Sequence, residues 1–251
     1  MKTSSLLMIV LSILLYAAPN FADEIKADLS LKKIPANLGK NFLKIFTKQN
    51  LSTLYTGAAV TGISSTFDDE VHEYFAKGNV ESTWAEIAST IGKPYVLAPA
   101  VTTVLILGHH SSDERFRAFS YALTEGYILN YGLTQGIKYA TSRDRPDHSN
   151  SQAFPSGHAS DTFMIATVLN RYYGKKAGLI GYSAAVVISA SRLKKDRHWL
   201  SDVVGGAALG YIVGRDVSLN TGGTRDSMQF DVYPTFMPGK KEFGLNANIR
   251  W

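Results

Sequence analysis

Three clusters of polar residues stand out in the second half of the sequence. They read KYATSRDRP at 138–146, PSGH at 155–158 and SRLKKDRHWLSD at 191–202. Together they supply fixed positive charge, a glycine turn and two histidines, which are the parts that a site for a phosphoryl group needs. The clusters therefore predict a protein that moves or removes phosphate through a histidine.

The candidate phosphate-binding residues are Lys138, Arg145, Ser156, Gly157 and Arg192. A transferring phosphoryl group carries charge on three equatorial oxygens, and the planar fork of arginine can hold two of them at once. The Ser-Gly pair precedes a predicted helix, where glycine allows close approach of the backbone and the first amides point at an anion.

The candidate catalytic residues are His198, Asp202 and His158. His198 and Asp202 are separated by four positions, so on a helix they would share a face. A carboxylate there can accept a hydrogen bond from Nδ1 of the imidazole and leave Nε2 free to attack phosphorus. His158 has no such partner nearby and suits protonation of the leaving oxygen, followed by activation of water.

Each cluster alone is weak evidence, because single cations are usually solvated and i,i+4 His/Asp pairs are common on exposed helices. No metal is expected, since the site already contains several fixed cations. The acidic run Asp68-Asp69-Glu70 invites a metal interpretation, but carboxylates are favourable in the first turn of a helix. We interpret this run as a helix start.

The three clusters resemble the signature of the type 2 phosphatidic acid phosphatase superfamily, which also includes bacterial class A acid phosphatases and vanadium haloperoxidases. That signature reads K-x6-RP, PSGH and SR-x5-H-x3-D, and every spacing is intact here. The resemblance implies an all-α helical bundle with His198 as nucleophile, Asp202 as its partner and His158 as general acid. It assigns the phosphate to Lys138, Arg145, Ser156, Gly157 and Arg192.

The segment between Arg192 and His198 is more charged than is usual for this family. Its cations Lys194, Lys195 and Arg197 either receive an anionic headgroup or form a solvated loop, and the sequence leaves both open.

The elements that must position these clusters are mostly helical by pattern. Helices are predicted over residues 38–46, 51–65, 80–91, 95–108, 113–141, 158–173, 176–193 and 198–215. After a linker from Asp216 to Asp226 the apolar period changes to two, which predicts a β-hairpin from Phe230 to Trp251. The fold class is therefore all-α with an appended C-terminal β-hairpin.

The N-terminus has the pattern of a secretory signal. Lys2 precedes an apolar run from Leu6 to Ala18, and small residues follow. We predict a cleaved signal peptide at 1–22, with an uncleaved anchor as the alternative. The helical domain then covers 23–215, and the linker and hairpin cover 216–251.

Composition fits an exported protein that acts on anions. The 251 residues are 45% hydrophobic and 19% charged, with a formal charge of +5 and no cysteine. The mean hydropathy of -0.04 is low for a chain with many membrane spans. We expect a bacterial periplasmic domain, soluble or associated with the membrane.

The leading hypothesis is a metal-independent phosphatase without a cofactor, acting through a phosphohistidine. Its expected partners are a phosphorylated substrate, with lipid phosphates and isoprenoid diphosphates as candidates, and an anionic membrane surface, but not nucleic acid. A vanadate-dependent haloperoxidase is an alternative, because vanadate mimics the phosphoryl transition state. A non-enzymatic envelope protein that binds anionic lipid is a third.

Overall fold

The structure is a computed structural model that describes residues 29–47, 50–76, 82–223, 229–237 and 242–250. The predicted signal peptide at 1–22 lies outside these ranges. The helices in the described ranges are α1 (Ile34–Ile45), α2 (Leu51–Ser64), α3 (Asp68–Ala76), α4 (Thr83–Ile91), α5 (Pro94–His109), α6 (Glu114–Thr141), α7 (Gly157–Lys194) and α8 (Leu200–Asn220). The helical fold class is confirmed.

The core lies where α6, α7 and α8 meet. Its fully buried apolar side chains include Tyr121, Met164 and Val213. On α8, a Cβ at Gly206 would lie 2.5 Å from the carbonyl oxygen of Ser156, and one at Gly214 would lie 2.7 Å from that of Met164. The close approach of α8 to α7 therefore requires glycine, as the Gly- and Ala-rich pattern of α8 predicts.

Helix α7 is bent sharply at Gly174, which has φ 79° and ψ −173°. This conformation is accessible almost only to glycine. The first arm (157–173) leads away from the second cluster, and the second arm (175–194) returns toward it. The two helices predicted over 158–173 and 176–193 are thus the arms of one kinked element.

Helix α6 is the longest uninterrupted helix in the described ranges, and its ends have clear causes. The carboxylate of Asp113 caps its start by accepting hydrogen bonds from the backbone N–H of Arg115 and Phe116, at 2.9 and 3.3 Å. Ser142 ends the helix in the left-handed conformation, at φ 43°. Lys138 therefore lies in the last turn of α6.

Two predicted boundaries of the last helix are wrong. The structure starts α8 at Leu200, so that His198 lies in the preceding loop, and it continues α8 to Asn220. The predicted linker therefore begins later than Asp216. That carboxylate is buried and paired with Arg215, at 3.3 Å, and it also accepts a hydrogen bond from Asn50. Because these polar groups are buried against α2, α8 continues past Arg215 and Asp216 instead of ending there.

Strands β1 (Gln229–Met237) and β2 (Glu242–Arg250) pair antiparallel. Their register places Phe230 opposite Ile249 and Phe236 opposite Phe243, and β1 lies against α2. The two strands overlap the segment from Phe230 to Trp251 for which the sequence predicts a hairpin.

Across the described ranges, no single helix combines the length and apolarity needed to cross a membrane. The bent pair α4 and α5, which meet at 46°, passes the same test together.

Candidate active site

The structure brings the three sequence clusters to one end of the helical bundle. Lys138 comes from the last turn of α6 and Arg145 from the loop after it. Ser156 caps α7, Gly157 and His158 form its first turn, and Arg192 lies in its last turn. His198 precedes α8 and Asp202 lies in the first turn of α8. The kink in α7 allows both of its ends to contribute.

His198 is buried and is held by a backbone carbonyl. Its Nδ1 lies 2.8 Å from the oxygen of Ala153, whereas the nearest carboxylate oxygen of Asp202 is 3.6 Å away. The predicted Nδ1–H bond to Asp202 is therefore wrong in this structure, because His198 lies outside the helix. A proton on Nδ1 satisfies the carbonyl and leaves Nε2 with the lone pair.

Asp202 links the second and third clusters instead. Its Oδ2 accepts a hydrogen bond from the N–H of Trp199 at 2.8 Å and caps α8, while its backbone oxygen accepts one from the N–H of Ser156 at 2.9 Å. Burial raises the pKa of Asp202, and the guanidinium of Arg143 opposes that rise. Asp202 is thus a buried carboxyl group beside His198.

Arg143 joins Asp202 to helix α3. One terminal nitrogen donates to Asp202 Oδ1 at 2.7 Å, and the other donates to Asp68 Oδ2 at 2.7 Å. Asp68 in turn accepts from the backbone N–H of Ser201 at 2.8 Å and from its hydroxyl at 2.7 Å. Asp68 is the first residue of α3, so the predicted helix start is confirmed, and it also anchors the start of α8.

The three predicted phosphate-binding cations repel one another. Burial, followed by the charge of Arg145, lowers the pKa of Lys138 to about 8. Burial lowers the pKa of Arg192 to about 10, again with a contribution from Arg145. Burial lowers the pKa of His198 well below its usual value, and the charges of all three cations add to this effect, which favours a neutral imidazole. An anion between them would relieve this repulsion.

Each of these cations has an uncharged hydrogen-bond partner in the protein. Lys138 Nζ donates to the carbonyl of Gln152 at 2.6 Å, and Arg145 Nε donates to Asn150 Oδ1 at 2.9 Å. Arg192 donates to the hydroxyl of Ser89. These bonds orient the charges without neutralising them, because every acceptor is uncharged.

His158 is packed against the corner between α4 and α5. Its Nε2 lies 3.0 Å from the carbonyl oxygen of Ser89, and a Cβ at Gly92 would lie 2.6 Å from its ring. Burial and then the charge of Arg192 lower the pKa of His158 to about 3, and His198 contributes as well. The two histidines therefore lie in one electrostatic environment.

The start of α7 provides uncharged donors for an anion. Among the described residues, the hydroxyl of Ser156 has no hydrogen-bond partner although it is buried. A Cβ at Gly157 would meet only Thr134, at 3.7 Å, so protein packing alone does not require glycine there. Approach of a ligand to this turn is a better reason for glycine.

Sequence reasoning missed Arg143, Asp68 and Ser89. Arg143 lies inside the first cluster at a position that the K-x6-RP spacing leaves open. Asp68 and Ser89 lie far upstream, and their contacts depend on tertiary packing. Within the described residues, no group of three or more His, Asp or Glu side chains could hold a metal ion.

The charged segment 194–197 is folded against the protein. Lys194 donates to the carbonyl of Phe75 at 3.1 Å, and Lys195 pairs with Glu86. Arg197 pairs with Asp147 at 2.6 Å. The segment therefore ties α3, α4 and the loop after α6 to the end of α7.

Comparison with known proteins supports the helical fold. Residues 119–221 match the family model described as the PAP2 superfamily. The matched segment includes all three clusters.

Two curated proteins are similar to part of the chain. It is 38% identical over 92 residues to the lipid A 1-phosphatase of Porphyromonas gingivalis, which covers 36% of this chain and 21% of that protein. It is 27% identical over 133 residues to the undecaprenyl-diphosphatase of Sulfolobus acidocaldarius, which covers 49% of this chain and 62% of that protein. The matches thus span less than two thirds of either relative.

Two solved structures have a similar fold. The transmembrane PAP2 type phosphatidylglycerolphosphate phosphatase from Bacillus subtilis superposes with a TM-score of 0.54 at 20% identity, covering 74% of this chain and 94% of that one. Aquifex aeolicus LpxE superposes with a TM-score of 0.50 at 23% identity, covering 60% and 94%.

Proposed function

We propose that this protein is a phosphatase that hydrolyses phosphate esters through a phosphohistidine on His198. One observation carries the proposal: Nδ1 of the buried imidazole lies 2.8 Å from the carbonyl oxygen of Ala153, and the charges of Lys138, Arg192 and Arg145 favour the neutral form of the ring. This arrangement leaves Nε2 as the nucleophile in a pocket suited to a phosphoryl group.

In the first step Nε2 of His198 attacks phosphorus, and the bond between phosphorus and the leaving oxygen breaks. Lys138, Arg145 and Arg192 stabilise the charge on the equatorial oxygens. His158 gives its proton to the leaving oxygen. With its pKa at about 3 it is neutral in the free enzyme at neutral pH, and the charge of a bound phosphate favours its protonated form.

In the second step His158, now neutral, takes a proton from water. The water oxygen attacks phosphorus and the N–P bond breaks, which releases inorganic phosphate and regenerates His198. Asp202 stabilises the positive charge that develops on His198 during attack. Its carboxylate is 3.6 Å from Nδ1, so it acts through its charge and not through a direct hydrogen bond.

We infer lipid phosphates or isoprenoid diphosphates as the substrate class. Relatives named as a lipid A 1-phosphatase and an undecaprenyl-diphosphatase support this class. The proposed location is the bacterial periplasm, in association with the membrane, and the pattern of residues 1–22 supports it.

The test is turnover of a water-soluble chromogenic phosphate ester in detergent, which does not depend on the lipid class. His198→Ala should abolish phosphate release and leave the helical circular dichroism unchanged. His110→Ala is the matched control, because His110 is exposed at the end of α5. A phosphate label that is lost in acid but kept in alkali, and that is found on the unmodified chain but not on His198→Ala, would support the phosphohistidine. Full turnover by His198→Ala would refute it.

A further inference from the structure

The corner between α4 and α5, defined here as residues 89–93, contacts two functional groups of the site through a single residue. The carbonyl oxygen of Ser89 lies 3.0 Å from Nε2 of His158, and the hydroxyl of Ser89 accepts a hydrogen bond from Arg192. Ser89 is fully buried, so water does not compete for either contact. One residue of the corner thus holds both the candidate general acid and a candidate phosphate-binding cation.

Gly92, in the same corner, fits closely against the ring of His158. Its backbone has φ −78° and ψ 1°, a conformation that residues with a side chain also adopt in turns, so the backbone itself does not require glycine. A Cβ at this position would lie 2.6 Å from Cδ2 and 3.2 Å from Cγ of His158, and 2.8 Å from Cγ2 of Ile188. Glycine is therefore required because the imidazole occupies the space that a side chain would take.

The contact with Ser89 determines which nitrogen of His158 can exchange the catalytic proton. A carbonyl oxygen only accepts hydrogen bonds, so Nε2 must donate its hydrogen to Ser89. In the neutral ring Nδ1 then has the lone pair, and in the protonated ring Nδ1 carries the second proton. Since Nε2 stays bound to the corner in both forms, Nδ1 is the nitrogen that can give a proton to the leaving oxygen.

The corner lies on the side of the leaving group in the proposed reaction. In phosphoryl transfer the attacking and leaving atoms are roughly in line, with phosphorus between them. When His198 attacks, the leaving oxygen faces away from it and toward the group that protonates it. A displaced His158 should therefore matter most for an ester of a weakly acidic alcohol, because such an alcohol leaves poorly as its anion.

We propose that Ser89 and Gly92 are positioning residues, and that the corner holds His158 so that Nδ1 protonates the leaving oxygen. The corner thereby determines how well the enzyme cleaves esters of weakly acidic alcohols, such as alkyl phosphates. This inference rests on the proposed function, because it concerns the general acid of that reaction. Gly92 acts through His158, whereas the side chain of Ser89 acts through Arg192.

The test compares two water-soluble substrates on the full chain in detergent, with phosphate release as the measurement. p-Nitrophenyl phosphate has an acidic leaving alcohol that needs little protonation, whereas butyl phosphate has a weakly acidic one. Gly92→Ala should lower kcat/KM for butyl phosphate by at least about 10-fold more than for p-nitrophenyl phosphate, since general acid catalysis contributes roughly 10²–10⁴-fold. Gly132→Ala in α6 is the matched control, because a Cβ there would meet nothing within 4 Å.

Ser89→Ala should separate the two contacts of that residue. It removes the hydroxyl that orients Arg192 and keeps the carbonyl that holds His158. We expect kcat/KM to fall by a similar factor for both substrates, because Arg192 binds phosphoryl oxygens that the two esters share. Selective loss of butyl phosphate turnover in Ser89→Ala would contradict this division of roles.

The ratio of the two kcat/KM values does not depend on the fraction of the chain that is folded, so it distinguishes a displaced ring from a damaged fold. If Gly92→Ala does not fold, the double variant Gly92→Ala/Ile188→Ala removes the clash with Ile188 and keeps the clash with His158. An equal fall for both esters in the folded variant would overturn the proposal. No turnover of either ester by the unmodified chain would instead refute the proposed function.

The assignment of the two nitrogens has a test that needs no turnover. In the nitrogen-15 spectrum of histidine-labelled protein at neutral pH, the signals of His158 are identified by their absence in His158→Ala. They should be those of a neutral ring with its hydrogen on Nε2. A hydrogen on Nδ1 would overturn the assignment, and with it the role of the corner.

Discussion

At the scale of single residues, Arg143 explains how the carboxyl group of Asp202 is accommodated in a buried site. Asp202 would be costly to bury alone, because burial favours the protonated form of a carboxylate. One terminal nitrogen of the Arg143 guanidinium pairs with Asp202, and the other pairs with Asp68. Arg143 is therefore a positioning residue that acts on His198 through Asp202.

Replacing Arg143 with Met should lower kcat by about 10²-fold, which is the usual effect of misplacing a reacting group by about 1 Å. Without the guanidinium the pKa of Asp202 rises further. The ionised form is then lost at higher pH, so the acidic limb of the kcat/KM profile should move upward. The measurement is the pH dependence of turnover of the soluble ester.

Arg143→Lys should restore part of the activity, and Asp68→Asn should cause a smaller loss of the same kind. Asp69→Asn is the matched control, because Asp69 is exposed one position away. An acidic limb that stays in place in Arg143→Met would argue for a purely structural role.

The deprotonation of Lys138 should determine the pH above which kcat/KM falls, because kcat/KM reports on ionisations of the free enzyme. Its pKa is lowered to about 8, so its positive charge is present below that pH and is lost above it. We expect kcat/KM to fall above about pH 8, because the loss of this charge weakens the binding of the phosphoryl oxygens. Lys138→Arg should move the fall to higher pH, since a guanidinium stays protonated. An alkaline limb that is the same in both enzymes would assign it to another group.

At the scale of elements, the kink in α7 determines whether the two ends of that helix meet. The sequence analysis predicted separate helices over residues 158–173 and 176–193, and Gly174 lies in the interval between them. It could not predict the direction of the bend, which depends on the φ of 79° at Gly174. The position of the kink could therefore be predicted from the sequence, whereas its geometry depends on how α7 packs on α8.

Gly174→Ala should destabilise the protein by roughly 1–3 kcal/mol, because the backbone at this position is in a region that only glycine occupies readily. Turnover should fall as well, since Arg192 is carried by the returning arm. Gly136→Ala in α6 is the matched control. A Cβ there would meet nothing within 4 Å, so alanine should be neutral or stabilising. Equal midpoints of denaturant unfolding in the two variants would contradict this account.

The contacts between elements were the least predictable part of the site. The spacing of His198 and Asp202 suggested a shared helical face, but the helix begins two residues after the histidine. The hydrogen-bond partner of His198 is the backbone carbonyl of Ala153. Every residue has a backbone carbonyl, so the sequence does not indicate this contact. Asp68 was recognised as a helix start, yet its contact with Arg143 joins residues 75 positions apart. Residue types were thus predictable from the clusters, and their hydrogen bonds were not.

At the scale of the whole molecule, the site brings together cations that repel one another. Lys138, Arg145 and Arg192 come from α6, the following loop and the returning arm of α7, and Arg197 also lowers the pKa of Arg192. The repulsion among these charges opposes the assembly of the elements that carry them. An anion that binds all of them should hold those elements together.

Inorganic phosphate should therefore stabilise the folded protein. A ligand that binds only the native state adds about 2.7 kcal/mol at 100 times its Kd, which raises Tm by several degrees. Arg192→Met should lose most of this phosphate-dependent rise in Tm, because it removes one cation from the site, although its own Tm without phosphate need not fall. Lys176→Met, an exposed charge at the kink, should keep the full rise. A rise in Tm of the same size in Arg192→Met would mean that phosphate binds elsewhere on the protein. That result would contradict the hypothesis that these cations bind one anion together.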